Sequence, residues 1–350
     1  MKSTTRILIS LGLTVLFLAL FFRSFDLQAA GRAIASASPV FLLLGVVLNL
    51  LAYLVRAWRW RHLLAPMREG LGLYNLTSTT FIGFMVTFLV PMRIGEIVRP
   101  VLLARREKIP ATGAIATVAL ERIFDAMTVM TLFLVFSLSA HGRAVLNPAE
   151  VGSAQASAAH LLRQGALAAA LLVAVGLPVA LVLVMWPQVV VGWLHRLNRG
   201  GPESRLGRAV VLLEEFLTGL GSLRRGRELG KIIASSLAMW LTIDLSVWCT
   251  LKAFGTDLPQ PLQFFDIFLL MVALTVGISV PTPGGVGPYE YFCTLALTDL
   301  WAVPAAVAGA VALTLHATAM LPTIVIGLLL MWRDGVRPAE MRGLAAEETS

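Results

Sequence analysis

Hydrophobic positions along the chain come in long unbroken blocks. Apolar runs occupy about 7–22, 39–56, 76–91, 112–137, 165–186, 231–254, 264–281 and 303–332. Most approach the roughly 20 residues that a helix needs to cross a bilayer. Lipid offers backbone groups no partners, so each block predicts a helix. The pattern breaks in two places. "ISVPTPGGVGPYEYF", Ile278 to Phe292, sets prolines, glycines and a glutamate where a span should run on. "VPMRIGEIVRP", Val90 to Pro100, breaks an earlier run in a similar way.

Basic residues decide how the blocks are threaded. Arg56, Arg59, Arg61 and Arg68 follow the second block, and Arg93, Arg99, Arg105, Arg106 and Lys108 follow the third. Segment 187–230 and the residues from Arg333 onward are also basic, whereas 23–38, 138–164 and 255–263 are poor in Lys and Arg. The positive-inside rule then places the basic segments, and both termini, in the cytoplasm. Block 76–91 lies between two basic segments, so it must enter and leave on one side, with 94–106 as its return arm. Blocks 264–281 and 289–300 must likewise enter and leave from outside. The expected fold is an all-α polytopic membrane protein with about six full spans and two oppositely oriented re-entrant hairpins, arranged as an inverted repeat. The competing arrangement is plain spans with the Pro/Gly stretch as a surface loop.

On this reading residues 1–333 form one transmembrane domain, with halves at about 1–137 and 165–333. Residues 203–227 read as an amphipathic helix in the cytoplasmic interface, or as a soluble connector, and 334–350 as a polar cytoplasmic tail. The first block resembles a signal peptide, but its length favours an uncleaved helix.

Composition then closes off other classes. The chain is 57% hydrophobic and 14% charged, with mean hydropathy +0.81, more apolar surface than a soluble core can hide. The net charge of +8 suggests nucleic acid, but it falls in short segments between spans, so nucleic acid is excluded as a partner. Cys249 and Cys293 make neither a disulfide framework nor a metal pattern. No metal or cofactor is expected. The glycine loop lacks the Lys-Ser/Thr of a phosphate loop and the strand of a dinucleotide fold. His62, His141, His160, His195 and His316 share no motif spacing. The chain is therefore expected to have no catalytic residues and not to be an enzyme. The rival class is a membrane transferase using the same carboxylates and arginines as acid, base and phosphate clamp.

Candidate chemistry lies in charges within the spans. "LERIFD" puts Glu121, Arg122 and Asp125 at the middle of block 112–137, with the two carboxylates at i and i+4 on one face. Asp244 and His316 lie near the centres of their own blocks. Each charge costs about 2.5–3.5 kcal/mol at mid-helix, so such groups should face protein or a water-filled cavity. They are a candidate coupling or gating network, or else a static structural one. With three carboxylates against Arg122, either one is protonated, which suits proton coupling, or Arg93 and Arg99 reach the cluster. In the glycine loop, Gly284, Gly285 and Gly287 allow close approach, and Glu290 stands in the first turn of the next helix. The loop reads as an anion site or as a packing point.

"RIGEIVRP" (93–100), "ALERIFDAMTV" (119–129) and "PTPGGVGPYE" (281–290), in that order, resemble the lysylphosphatidylglycerol synthase transmembrane-region family of flippase-like integral membrane proteins. The resemblance covers nearly the whole chain and implies a polytopic protein of the bacterial inner membrane. In fused members this region flips aminoacylated phosphatidylglycerol made by a separate soluble domain. That domain does not follow here, so no synthesis of lysyl-lipid is expected. Pro288–Tyr289 departs from the family pattern after the glycines. The resemblance points to Arg93, Gly95, Glu96 and Arg99, to Glu121, Arg122 and Asp125, and to Pro283, Gly284, Gly285, Gly287 and Glu290.

The expected function is translocation of an anionic or phosphate-bearing lipid. Arg93, Glu96, Arg99, Gly284, Gly285, Gly287 and Glu290 would bind the headgroup. An accessory role in a lipid or cell-envelope pathway is the further alternative. The partners expected are a membrane lipid, with a second copy of the chain and lipid-pathway enzymes as admissible protein partners.

Overall fold

The computed structural model describes residues 3–23, 25–146, 226–255 and 262–337, with a few isolated positions besides. Within them the regular structure is helical: α1 (Ser3–Phe22), α2 (Leu27–Ser36), α3 (Pro39–Leu64), α4 (Leu73–Leu89), α5 (Gly95–Glu107), α6 (Ala111–Leu138), α7 (Ala140–Val145), α8 (Gly226–Ala253), α9 (Asp266–Ser279), α10 (Pro288–Trp301) and α11 (Ala305–Arg333). Block 165–186, the segment 203–227 read as an amphipathic helix, and residues 338–350 of the tail lie largely or wholly outside the described residues.

Pro39–Leu64, Arg227–Ala253 and Ala305–Arg333 are long and apolar enough to cross a membrane. Helix α6, at 28 residues, is about 42 Å long at the α-helical rise and carries three charges, Glu121, Arg122 and Asp125, at its middle. Large apolar side chains such as Val40, Leu43, Val135 and Leu329 stand exposed on the outside. A water-facing surface would not carry them, whereas a lipid-facing one does. The protein is an all-α polytopic membrane protein.

Two local outcomes differ from the sequence reading. Segment 23–38 is not a loop: Asp26 caps α2 by accepting from the Gln28 and Ala29 amides at 2.9 and 3.0 Å. Helix α3 does not end near residue 56. "YLVRAWRWRHLL" holds no glycine or proline, so the helix runs on to Leu64 and carries Arg56 and Arg59 into the interior.

Helices α4 and α5 have 17 and 13 residues, and α9 and α10 have 14 each. At about 20–26 Å, none matches a hydrocarbon core of about 30 Å. Each pair folds back on itself through glycine contacts. Gly83 and Gly95 bring α4 and α5 together so closely that a Cβ on Gly95 would collide with the Gly83 carbonyl oxygen. A Cβ on Gly277 would lie 2.9 Å from the Pro288 carbonyl oxygen across the α9–α10 pair.

The two tips share one backbone turn. Each is a 3₁₀ segment opened by proline, Pro91–Arg93 and Pro283–Gly285, with an extended residue before it and a left-handed residue second: Met92 (φ 68°, ψ 18°) and Gly284 (φ 60°, ψ 7°). Pro91 therefore corresponds to Pro283, and Gly95 to Gly287. The shared turn geometry, rather than the spacing of Pro and Gly in the two segments, sets this register. Met92 and Arg93 both have positive φ, at a cost of about 1–2 kcal/mol each for L-residues, which the glycines of the second tip avoid. The tips meet: Arg93 Nη2 donates to the Ile278 carbonyl at 2.6 Å. Helix α11 packs along both hairpins, against α4 and against α10.

The end of α11 is latched to the first hairpin. Asp334 accepts from Arg106 Nη1 at 2.7 Å, from Tyr74 Oη at 2.5 Å and from the Ser78 hydroxyl. The polar tail expected from Asp334 onward thus begins inside the fold. Burial pushes the Asp334 carboxyl up, but the hydrogen bonds from Ser78, Tyr74 and Arg106 outweigh it and hold the carboxyl below the usual carboxylate range. A depressed carboxyl stabilises the fold above its ordinary range, and that contribution is lost as pH falls through the depressed value. Asp334→Asn is expected to cost about 1 kcal/mol at pH 7, discounted for solvent screening. In thermal unfolding the difference from the parent protein should shrink below about pH 4. An equal difference across the range would contradict the latch.

Candidate functional site

Four helices bring their polar faces together inside the fold. On α3, Tyr53, Arg56 and Trp60 follow helical spacing on the inward side, with Arg59 beside them. On α6, Glu121 and Asp125 share the face turned toward α3, as their i,i+4 spacing requires. Helix α5 supplies Arg99, and α8 supplies Ser236 and Trp240.

Two tight ion pairs form the base. Arg99 Nη1 donates to Glu121 Oε2 at 2.6 Å, and its guanidinium lies 3.8 Å from the Trp60 ring centroid. Arg59 Nη1 donates to Asp125 Oδ1 at 2.8 Å and to Ser236 Oγ at 2.9 Å. The side chains of Arg59 and Glu121 are both 0% exposed. Asp125 also accepts from Trp240 Nε1 at 3.2 Å and from Arg56 Nη1 at 3.2 Å, and Arg122 Nη2 stands 3.5 Å away. One carboxylate thus holds three guanidiniums, at low dielectric where such bonds are strong.

Above this base lies a cavity of about 370 Å³. Its charged wall is Arg56, Arg93, Glu96, Arg122 and Asp125, and Gly284 and Gly285 close it from the second tip. The rest of the lining is chiefly apolar and aromatic, with Tyr53, Phe84 and Trp240 among it. Arg56 is braced by Phe84, whose ring centroid is 5.0 Å away. Arg93 pairs with Glu96 at 3.5 Å. This is a concave, largely apolar site with a few convergent polar groups, the form that small-molecule and lipid-headgroup sites take.

The second tip is held from behind. Glu290 Oε2 accepts from the Gly287 amide at 2.7 Å, and Oε1 lies 2.5 Å from His316 Nδ1. His316 Nε2 lies 3.0 Å from the Gly284 carbonyl oxygen. A carbonyl only accepts, so Nε2 carries a proton, and one further proton sits between Nδ1 and Glu290. The Tyr289 ring covers the imidazole, with centroids 4.5 Å apart.

The sequence candidates therefore divide. Arg93, Glu96, Arg122, Asp125, Gly284, Gly285 and His316 line one cavity. Arg99 and Glu121 form a buried pair behind it, Glu290 caps the second tip, and Gly287 packs on α1 beside Phe17. Asp244 joins none of these groups. It is buried, and neither carboxyl oxygen has a hydrogen-bond partner among the described residues. The expected surplus of carboxylates is reversed: Arg56, Arg59, Arg99 and Arg122 surround Glu121 and Asp125. The case for a protonated member of "LERIFD" loses its premise.

Sequence reasoning missed Arg56 and Arg59 because charges at the end of an apolar run read as flanking residues. The usable signal was the absence of any helix breaker before Leu64. Trp240 and Tyr53 carried no distinguishing pattern.

The chain matches, over residues 7–327, the family described as lysylphosphatidylglycerol synthase TM region. It is 28% identical to a protein of Haloferax volcanii named glycosyltransferase AglD, over 93% of this chain and 54% of that protein. It is 26% identical to a UPF0104 membrane protein of Methanothermobacter thermautotrophicus, over 74% of this chain and 75% of that one. A UPF0104 membrane protein of Methanocaldococcus jannaschii is also 26% identical, over 39% of each chain. The chain spans about half the length of the glycosyltransferase it matches. The expectation that the chain is not an enzyme does not stand beside a relative of that name, and it is withdrawn.

Breaking a buried ion pair strands a charge, at a cost of about 3–5 kcal/mol. Glu121→Gln is expected to show that loss in thermal unfolding in detergent. Arg122, with a side chain 35% exposed, should tolerate replacement by Gln within about 1 kcal/mol. Equal losses in the two variants would contradict the division into base and wall.

Proposed function

The chain belongs to the lysylphosphatidylglycerol synthase TM-region family, and from that premise we propose that it binds an anionic, phosphate-bearing lipid by its headgroup and passes it between leaflets. The observation that carries the reading is the sign of the cavity wall. Arg56, Arg93 and Arg122 converge on a space between two hairpin tips, at a depth where charge is costly unless it is matched. Guanidinium forks fit phosphate oxygens, and the apolar remainder of the wall suits acyl or prenyl chain.

In this reading the hairpins are re-entrant and dip from opposite faces of the bacterial inner membrane, with both termini cytoplasmic. The short arms support the re-entry, and the distribution of Lys and Arg supports the orientation. The contact from Arg93 to the Ile278 carbonyl ties the tips and would be exchanged for headgroup oxygens as the cavity opens. Glu121 and Asp125 hold the arginines in place. His316 and Glu290 hold the second tip, with one proton between them.

A second reading is glycosyl transfer to a phosphate-bearing lipid held in the same site, favoured by the name of the Haloferax relative. Glu96, partly exposed on the wall, would then be the available base.

Reconstitution separates the two. Purified protein in liposomes with fluorescent lipids is expected to exchange an anionic phospholipid between leaflets. Arg56→Gln should slow that exchange by about tenfold, the loss of one charge-assisted hydrogen bond. No exchange across a range of headgroups would sink the translocation reading. A product of changed mass, formed from a nucleotide sugar and a phospholipid, would favour the transferase.

A further inference from the structure

The charges around the cavity can be counted and assigned, and the count says more than their sign. Among the described residues, five guanidiniums belong to the site: Arg56, Arg59, Arg93, Arg99 and Arg122. Three carboxylates oppose them: Glu96, Glu121 and Asp125. The shortest contacts assign three pairs, with Arg59 Nη2 also 3.6 Å from Glu121 Oε1. Arg99 is matched to Glu121 at 2.6 Å, Arg59 to Asp125 at 2.8 Å, and Arg93 to Glu96 at 3.5 Å.

Arg56 and Arg122 remain. Both make their ion-pair contact with Asp125, at 3.2 and 3.5 Å, a carboxylate already matched by Arg59; Glu96 and Glu121 act on Arg122 only from farther away. Both line the cavity. Arg122 Nε is buried without a hydrogen-bond partner. The neighbouring titratable groups do not change the sum. His316 and Glu290 hold one shared proton and are neutral as a pair wherever that proton sits. Asp244 lies outside the cavity lining, and neither of its carboxyl oxygens has a hydrogen-bond partner among the described residues.

Two positive charges thus face the cavity without a carboxylate matched to them alone: Arg56 is buried, where an unmatched charge is expensive, and Arg122 stands partly exposed at the rim. We infer that Arg56 and Arg122 form a two-charge clamp, and that the headgroup it takes is dianionic: a phosphomonoester or a diphosphate. A phosphodiester headgroup supplies one negative charge and would leave one guanidinium unmatched. A headgroup bearing added ammonium groups would meet the wrong sign. The inference rests on the anionic-lipid reading above and narrows it. Asp125 is the positioning residue of the clamp, since it holds both arginines by one carboxylate.

The test compares headgroups that differ in charge. The full chain in phosphatidylcholine nanodiscs is titrated at pH 8 with short-chain phosphatidic acid, a phosphomonoester, and with short-chain phosphatidylglycerol, a phosphodiester. Phosphatidic acid should bind at least about tenfold more tightly, as one additional charge-assisted contact implies. A phosphomonoester takes up its second proton near about pH 6, so the preference should vanish at pH 5. Arg122→Gln should abolish the preference at pH 8, and Arg122→Lys, which keeps the charge, should retain most of it. Arg122 is chosen because its side chain is on the rim, and Arg56→Gln provides the same comparison from the other arm.

Inorganic pyrophosphate identifies the source of the charge. If it displaces phosphatidic acid, the clamp recognises the phosphate group alone. If it does not, the lipid chain is part of the ligand. Either result supports the clamp, provided that the preference holds. Equal affinity of the two lipids at pH 8 would overturn the two-charge clamp and leave the anionic-lipid reading standing. No binding of either lipid would overturn both.

Discussion

Compensation of charge at membrane depth is the constraint on which the rest of this structure depends. A guanidinium in a low-dielectric interior is tolerated only with an anion and hydrogen bonds beside it. Arg99 satisfies this with Glu121 and the Trp60 face, and Arg59 with Asp125 and Ser236. These contacts come from α3, α5, α6 and α8, so no one helix can shift without uncovering a charge. Membrane helices gain little from hydrophobic association with one another, and polar contacts of this kind set which helices pack and in what register. The same base fixes the position of Asp125, and Asp125 fixes Arg56 and Arg122.

The hairpins follow from a different requirement, close approach of backbone. Gly83 against Gly95, and Gly277 against Pro288, allow two short helices to fold back with their backbones nearly touching. The tips then meet at the cavity. Their turns are the same, but the side chains are not interchangeable. Glycine at positions 284 and 285 leaves room beside Phe88 and Ile278, whereas the first tip accepts strain at Met92 and Arg93 and so places a cation there. His316, from a separate helix, binds the second tip through Gly284 and Glu290.

Much of this was legible in the sequence. Block lengths marked most of the described helices, but not α2 or the last two turns of α3. The two Pro/Gly breaks identified the hairpins, and "LERIFD" marked the polar centre. What the sequence hid has physical causes. Arg56 and Arg59 look like cytoplasmic flanking charges because a helix that continues past its apolar stretch carries no one-dimensional mark. The register between the tips is hidden because the turn is defined by φ and ψ, not by residue identity: Met92 and Gly284 share it. A family motif marks which residues matter and leaves open whether they face a ligand or support a neighbour, as Arg99 supports Glu121 and Glu290 the Gly287 amide. The sum of charge, which reversed between sequence and structure, depends on three-dimensional neighbours alone.

The most direct measurement is a structure of the protein purified in native lipid, determined at a resolution that shows headgroups. The account predicts a phosphate-sized density between Pro91–Arg93 and Pro283–Gly285, in hydrogen-bond contact with both Arg56 and Arg122. A cavity holding only water or acyl chain, with Arg56 and Arg122 turned to protein carboxylates, would contradict it.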